Sequence, residues 1–118
     1  MKRPLAYITS AWSGDKFDDM ITASVYSREL YEAGFSPICP NLYMAMFINS
    51  DIPGEHENKA SMSMDILKRS RVLVVCGLGV DETVKTDIAA ATKLGITATT
   101  LDGILIVSNH GREEEDDD

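Results

Sequence analysis

Between Arg69 and Gly95 the chain reads RSRVLVVCGLGVDETVKTDIAAATKLG. Val72, Leu73, Val74 and Val75 form an unbroken apolar run with three β-branched members, closed by Gly77 and Gly79. So short a run, apolar at every position, is a strand buried on both faces, the middle of a parallel sheet. The period then changes. Val84, Ile88 and Ala91 recur at i, i+4 and i+7, Asp81 or Thr83 stands where an N-cap is needed, and Gly95 stops the helix. A two-face-buried strand feeding a helix requires helices over both sides of a sheet. In such open α/β sheets, ligands bind at the carboxyl ends of the strands. The loop Gly77 to Glu82 is one such end, and Asp87 lies on the helix beyond it.

The rest of the chain supplies the other layers. Leu5 to Ser10 reads as a first strand, with Ala11 to Asp15 as its exit loop and Asp15 as a helix cap. A helix is expected from Lys16 to Ala33, with Met20, Ala23, Ser27 and Leu30 on its core stripe. Phe35 to Cys39 follows as a second strand, and Pro37 puts it at a sheet edge. Leu42 to Ile48 is apolar all round, a short helix that is buried or forms a partner surface. Glu57 to Ser70 reads as a helix with Ala60, Met64 and Leu67 facing the core. After the central unit, Ile96 to Leu101 is a β-branched strand. Asp102-Gly103 reads as a hairpin turn and Ile104 to Val107 as a last, antiparallel strand. Right-handed crossovers then give a flavodoxin-like three-layer sandwich with a mainly parallel sheet of order 2-1-3-4. Strands one and three are neighbours in that order. The loops Ala11 to Asp15 and Gly77 to Glu82 should therefore flank one crevice at the switch point.

Size and charge limit the rest. The 118 residues suffice for one core, read as a single α/β domain over 1–110 with an acidic disordered tail over 111–118. The net charge of −8 owes six negative charges to Glu113 to Asp118, so the body is close to balanced. Lys and Arg are scattered, which argues against nucleic acid as a partner. No apolar run is long enough for a bilayer, no signal reads at the N-terminus, and a cytoplasmic protein is expected. Cys39 and Cys76 form no CxxC and read as reduced, half-buried thiols.

Asp87 borders the core face on a stripe with Thr83 and Ala90. It is either a nucleophile or general base at the crevice mouth, or a solvated acid near the positive helix end. Trp12 either stacks on a base or sugar, or covers the sheet end or makes an oligomer contact. Gly77-Leu78-Gly79 lacks the third glycine of a dinucleotide fingerprint and reads as a turn that lets a ligand near the backbone. His56 between two glutamates reads as a surface position rather than a metal ligand, and His110 as exposed. No metal or cofactor is expected.

The segments AYITSAWSGD, ELYEAGFSPICPNLYMAMF, MSMDILKRSRVLVVCG and GVDETVKTDIAAATKLGI together resemble a family of small phage and bacterial proteins of uncharacterised function (DUF4406-like), related to nucleoside 2-deoxyribosyltransferase-like proteins. The resemblance implies that a carboxylate on the helix after the central strand attacks an anomeric carbon, and the matching position is Asp87. It implies Asp81 or Glu82 as proton donor. Trp12, Ser13, Gly14, Asp15, Asn41, Gly77, Gly79 and Thr83 would be ligand-binding residues. It also implies a homo-oligomer, at least a dimer. Ala11, Trp12, Asn41, Arg71 and Thr83 depart from the family's usual residues, and Asp87 stands where the transferases carry the longer glutamate. The leading expectation is a nucleoside- or nucleotide-binding protein that transfers or hydrolyses an N-glycosidic bond. The alternatives are a catalytically degenerate module that sequesters a nucleotide signal, and an oligomeric interaction protein using Leu42 to Ile48.

Overall fold

The computed structural model describes residues 2–116, with side chains described through Ser108. Its elements are β1 (Leu5–Ser10), α1 (Lys16–Glu32), β2 (Ser36–Ile38), α2 (Pro40–Met44), α3 (Glu55–Arg69), β3 (Val72–Cys76), α4 (Glu82–Leu94), β4 (Thr97–Thr100) and α5 (Leu101–Asp116). The four strands form one sheet of order β2-β1-β3-β4, and all three pairings are parallel. This is the α/β architecture expected from the sequence, of flavodoxin and Rossmann type.

In β1 the side chains alternate between the two faces. Ala6 and Ile8 join Val72, Val74 and Cys76 under Leu30 of α1 and Leu101 of α5. Tyr7 joins Leu73 under Leu67 of α3 and Ala91 of α4. The sheet thus has α1 and α5 on one side and α3 and α4 on the other, and the central strands are buried on both faces. Asp15 caps α1 by accepting from the Asp18 N–H at 3.0 Å, and Asp81 caps α4 by accepting from the Val84 N–H at 2.9 Å.

Three expectations are corrected. Ile104 to Val107 is helix, not a fifth strand. Thr100 Oγ1 accepts from the Gly103 N–H at 3.0 Å, the geometry of an N-cap. Leu101, Ile104 and Leu105 then pack on the α1 side of the sheet at helical spacing. A side chain at position 103 would meet the Thr100 and Thr99 hydroxyl oxygens at 3.0 and 3.1 Å, so the glycine serves a helix start, not a hairpin. In α1 the core stripe is Asp19, Ala23 and Leu30, with Tyr26 half-buried, while Met20 is 62% exposed. In α3, Ala60 is exposed and Leu67 is the fully packed residue. The side chains of the acidic stretch at the end of α5, and His110, lie outside the described residues. Among the described residues no helix is long and apolar enough to cross a membrane.

Candidate functional site

Helices α3 and α4 present facing stripes over the end of β1, and between them lies a cavity of about 400 Å³. From α3 it is lined by His56, Lys59, Ala60, Ser63, Met64 and Leu67, from α4 by Glu82, Thr83, Thr86, Asp87 and Ala90, and from α2 by Asn41. That volume is in the range of small-molecule sites.

Asp87 is the chemical centre of this cavity. Its stripe on α4 is Val84, Asp87 and Ala91, the buried residues of that helix, so a carboxylate occupies a core position and is only 9% exposed. Thr9, fully buried on β1, donates from Oγ1 to Asp87 Oδ2 at 2.7 Å. No hydrogen bond of ordinary geometry reaches Oδ1 among the described residues, although the Asn41 amide stands close to the carboxylate. One oxygen is therefore anchored and the other is left for a ligand. Burial pushes the carboxyl above its ordinary range, and the Asp81 charge adds to that. The Thr9 hydroxyl, the Asn41 amide and the Lys59 ammonium pull the other way.

Two further buried polar groups near Asp87, one lining the cavity and one beneath it, complete no hydrogen bond. Asn41 Nδ2 is buried and completes no hydrogen bond, although the amide lies near enough to Asp87 to favour its ionised form. The Tyr7 hydroxyl is buried without a partner beside Ser63, whose own hydroxyl is directed at Met44 Sδ at 3.6 Å. Burial, and then the Asp87 charge, push the Tyr7 phenol up. A buried donor without an acceptor costs about 1–3 kcal/mol, so a ligand that supplies one gains that much.

A second, smaller cavity of about 260 Å³ sits at the switch point between β1 and β3. It is lined by Ser10, Trp12, Ser13, Asp19, Tyr26, Gly77 and Gly79, among others, and shares no lining residue with the first. The two loops meet here as expected: a Cβ on Gly79 would lie 3.0 Å from that of Ala11. Gly77 has φ +78°, and a Cβ there would lie 3.0 Å from the Tyr26 hydroxyl. Trp12 packs against the α1-side core, its ring 6.4 Å from that of Tyr26. It therefore covers the sheet end, and its Nε1 is buried without a partner.

The amides of this first βα loop are already occupied. Asp19 Oδ1 accepts from the Ser13 N–H at 2.9 Å and the Ser13 hydroxyl at 2.8 Å, and Oδ2 accepts from the Gly14 N–H at 3.0 Å. Burial alone would raise this carboxyl, but the Ser13 and Gly14 donors more than offset it and hold it below its usual range. In dinucleotide-binding relatives of this architecture such amides cradle a phosphate. Here an internal carboxylate takes that place.

The candidate residues read from the sequence therefore divide. Asp87, Asn41, Glu82 and Thr83 share the larger cavity, while Trp12, Ser13, Gly77 and Gly79 line the smaller. Gly14 and Asp15 are exposed in the loop, with Gly14 held by Asp19 and Asp15 spent on capping. Asp81 is an exposed cap and lines neither cavity. Sequence reasoning missed Asp19, Lys59, Thr9 and Tyr7; His56 is exposed, as expected, but stands in the first turn of α3 rather than in a loop. The i, i+4 relation of Asp19 to Ala23 carried a signal for Asp19, and the alternation within β1 placed Tyr7 and Thr9 on one face. Among the described residues no group of three His, Cys, Asp or Glu side chains is placed to hold a metal.

Fold and cavity together define an α/β parallel-sheet domain with a ligand-sized cleft built around a buried, singly anchored carboxylate. The chain belongs to the family described as a domain of unknown function, DUF7768, whose model matches residues 4–101. No curated protein matches it.

Proposed function

We propose that the protein binds a nucleoside or nucleotide in the α3–α4 cavity and transfers or hydrolyses its N-glycosidic bond, as nucleoside 2-deoxyribosyltransferase-like proteins do, with Asp87 as nucleophile. The observation that carries this reading is Asp87 itself, a carboxylate at a core position of the helix after the central strand. One of its oxygens is fixed by Thr9 and no hydrogen bond of ordinary geometry reaches the other among the described residues, at the wall of a cavity of ligand size. Oδ1 would form a bond to the anomeric carbon as the bond to the base nitrogen breaks. The bonding electrons leave with the base, which takes a proton. Glu82 lines the same cavity and is the candidate donor; Asp81 is committed to the α4 cap. Water or a second base then displaces the carboxylate. Asn41 Nδ2, buried and unpartnered, supplies a donor to a sugar oxygen.

Incubation with 2′-deoxynucleosides and a second free base, followed by chromatography, tests the proposal. Exchange or hydrolysis that is lost in Asp87→Asn supports it, and no turnover with any base removes it. The same cavity serves a binding module without turnover if Asp87 acts only as an acceptor for a sugar hydroxyl, a reading favoured by how little of the carboxylate is exposed. Calorimetry that recovers the ligand intact would decide for that module. Tyr43, Met46, Phe47 and Ile52 expose apolar side chains around and after α2, in and beside the stretch expected to contact a partner, and are consistent with at least a dimer. Light scattering on the purified chain reads that directly.

A further inference from the structure

The two long walls of the larger cavity differ in kind. The α4 wall offers the acceptors Glu82 and Asp87, whereas the α3 wall offers the His56 imidazole and the Lys59 ammonium. Lys59 is half-buried and makes no ion pair among the described residues. It acts on Asp87 electrostatically without pairing with it. Helix α3 also starts differently from α1 and α4. Those two are capped by aspartates, but α3 begins at Gly54 with no side-chain cap. Its first turn carries Glu55, which accepts from the Asn49 N–H at 3.1 Å, and the exposed Glu57; neither lines the cavity. The first turn of α3, whose N–H groups have no side-chain cap, stands at the same wall as His56 and Lys59, with Glu55 and Glu57 turned away from the cavity lining. Across from it, the buried and unpartnered Asn41 Nδ2 marks the end where a neutral acceptor is wanted. The other natural anion site of this architecture, the first βα loop, is filled by Asp19.

We propose that the α3 wall, through Lys59, His56 and the uncapped first turn, receives a phosphate ester of the ligand, while Asn41 and Asp87 hold its sugar. The preferred ligand is then a nucleoside monophosphate rather than the free nucleoside. This rests on the nucleoside reading above and narrows it.

The test is calorimetric titration of the full chain with the four common 2′-deoxynucleosides and their 5′-monophosphates. At least one monophosphate is expected to bind about tenfold more tightly than its own nucleoside, the scale of one charge-assisted hydrogen bond. Lys59→Met should collapse that ratio toward one, and Lys59→Arg should keep it, with thermal melts showing that both variants fold. Nucleosides that bind as tightly as their monophosphates overturn the phosphate assignment and leave the nucleoside reading standing. A ratio unchanged in Lys59→Met overturns the role of Lys59. If neither nucleosides nor monophosphates bind, both this inference and the nucleoside reading fall.

Discussion

The Thr9–Asp87 hydrogen bond is the contact on which the site's geometry depends, and Thr9→Val removes it with almost no change of shape. Thr9 is fully buried, and its hydroxyl is 2.7 Å from Asp87 Oδ2. A hydrogen bond to a charged group contributes about 1.5–3 kcal/mol. In a domain of this size each kcal/mol moves the thermal midpoint by about 3–5 °C, so Tm should fall by about 5–15 °C at neutral pH. The sign with pH follows from the carboxyl. Burial holds Asp87 above its ordinary range, and Thr9 opposes that shift. The stability tied to such an acid is fully present below the unfolded-state value and is lost as pH rises through the folded value. Removing Thr9's donor pushes the folded value further up. The gap between wild type and Thr9→Val should therefore be widest at neutral pH and shrink toward acid. Scanning calorimetry at several pH values reads both features. Asp87→Leu completes a cycle: with both partners apolar, Thr9→Val should cost nothing or stabilise. A drop below about 2 °C at neutral pH, or an equal cost in both backgrounds, refutes the reasoning.

Three further outcomes are expected. In urea unfolding between about pH 4 and pH 8, the wild-type midpoint should carry a component that declines as pH rises through the raised Asp87 value. Asp87→Asn should remove that component and be the more stable protein at the alkaline end. Gly77→Ala should cost about 1–3 kcal/mol in the same assay, because φ is +78° and the new Cβ would lie 3.0 Å from the Tyr26 hydroxyl. Burial pushes the Cys39 and Cys76 thiols up to about 12, so a thiol-specific disulfide reagent at pH 8 should label neither until denaturant is added.

The legible parts of the sequence were those with short-range causes. Val72–Cys76 announces itself by an apolar run, α4 by its period and its Asp81 and Gly95 ends, and the edge position of β2 by Pro37. The C-terminal helix was misread because Asp102-Gly103 is a strong turn pair. The competing signals, Thr100 as cap and Leu101, Ile104 and Leu105 at helical spacing, were present but short. Met20 and Ala60 were misassigned because α1 and α3 carry apolar residues on more than one face. Which face is covered depends on the neighbour, not on the helix.

By itself, then, the sequence determined a mainly parallel sheet of order 2-1-3-4 and a carboxylate on α4 at the border of its core face, because periodicity, caps and crossover handedness act within one element or between successive ones; that the carboxylate is buried came from the structure. Only the tertiary structure decided what that carboxylate meets. Successive residues of β1 point to opposite faces, so Thr9 joins Asp87 under α3 and α4 while Ser10 opens toward Trp12 and Gly77. The carboxyl end of β1 thereby faces two separate cavities, one on each side of the sheet. The groups that act on Asp87, Thr9, Asn41 and Lys59, come from β1, α2 and α3, far apart in the chain and brought together by packing alone.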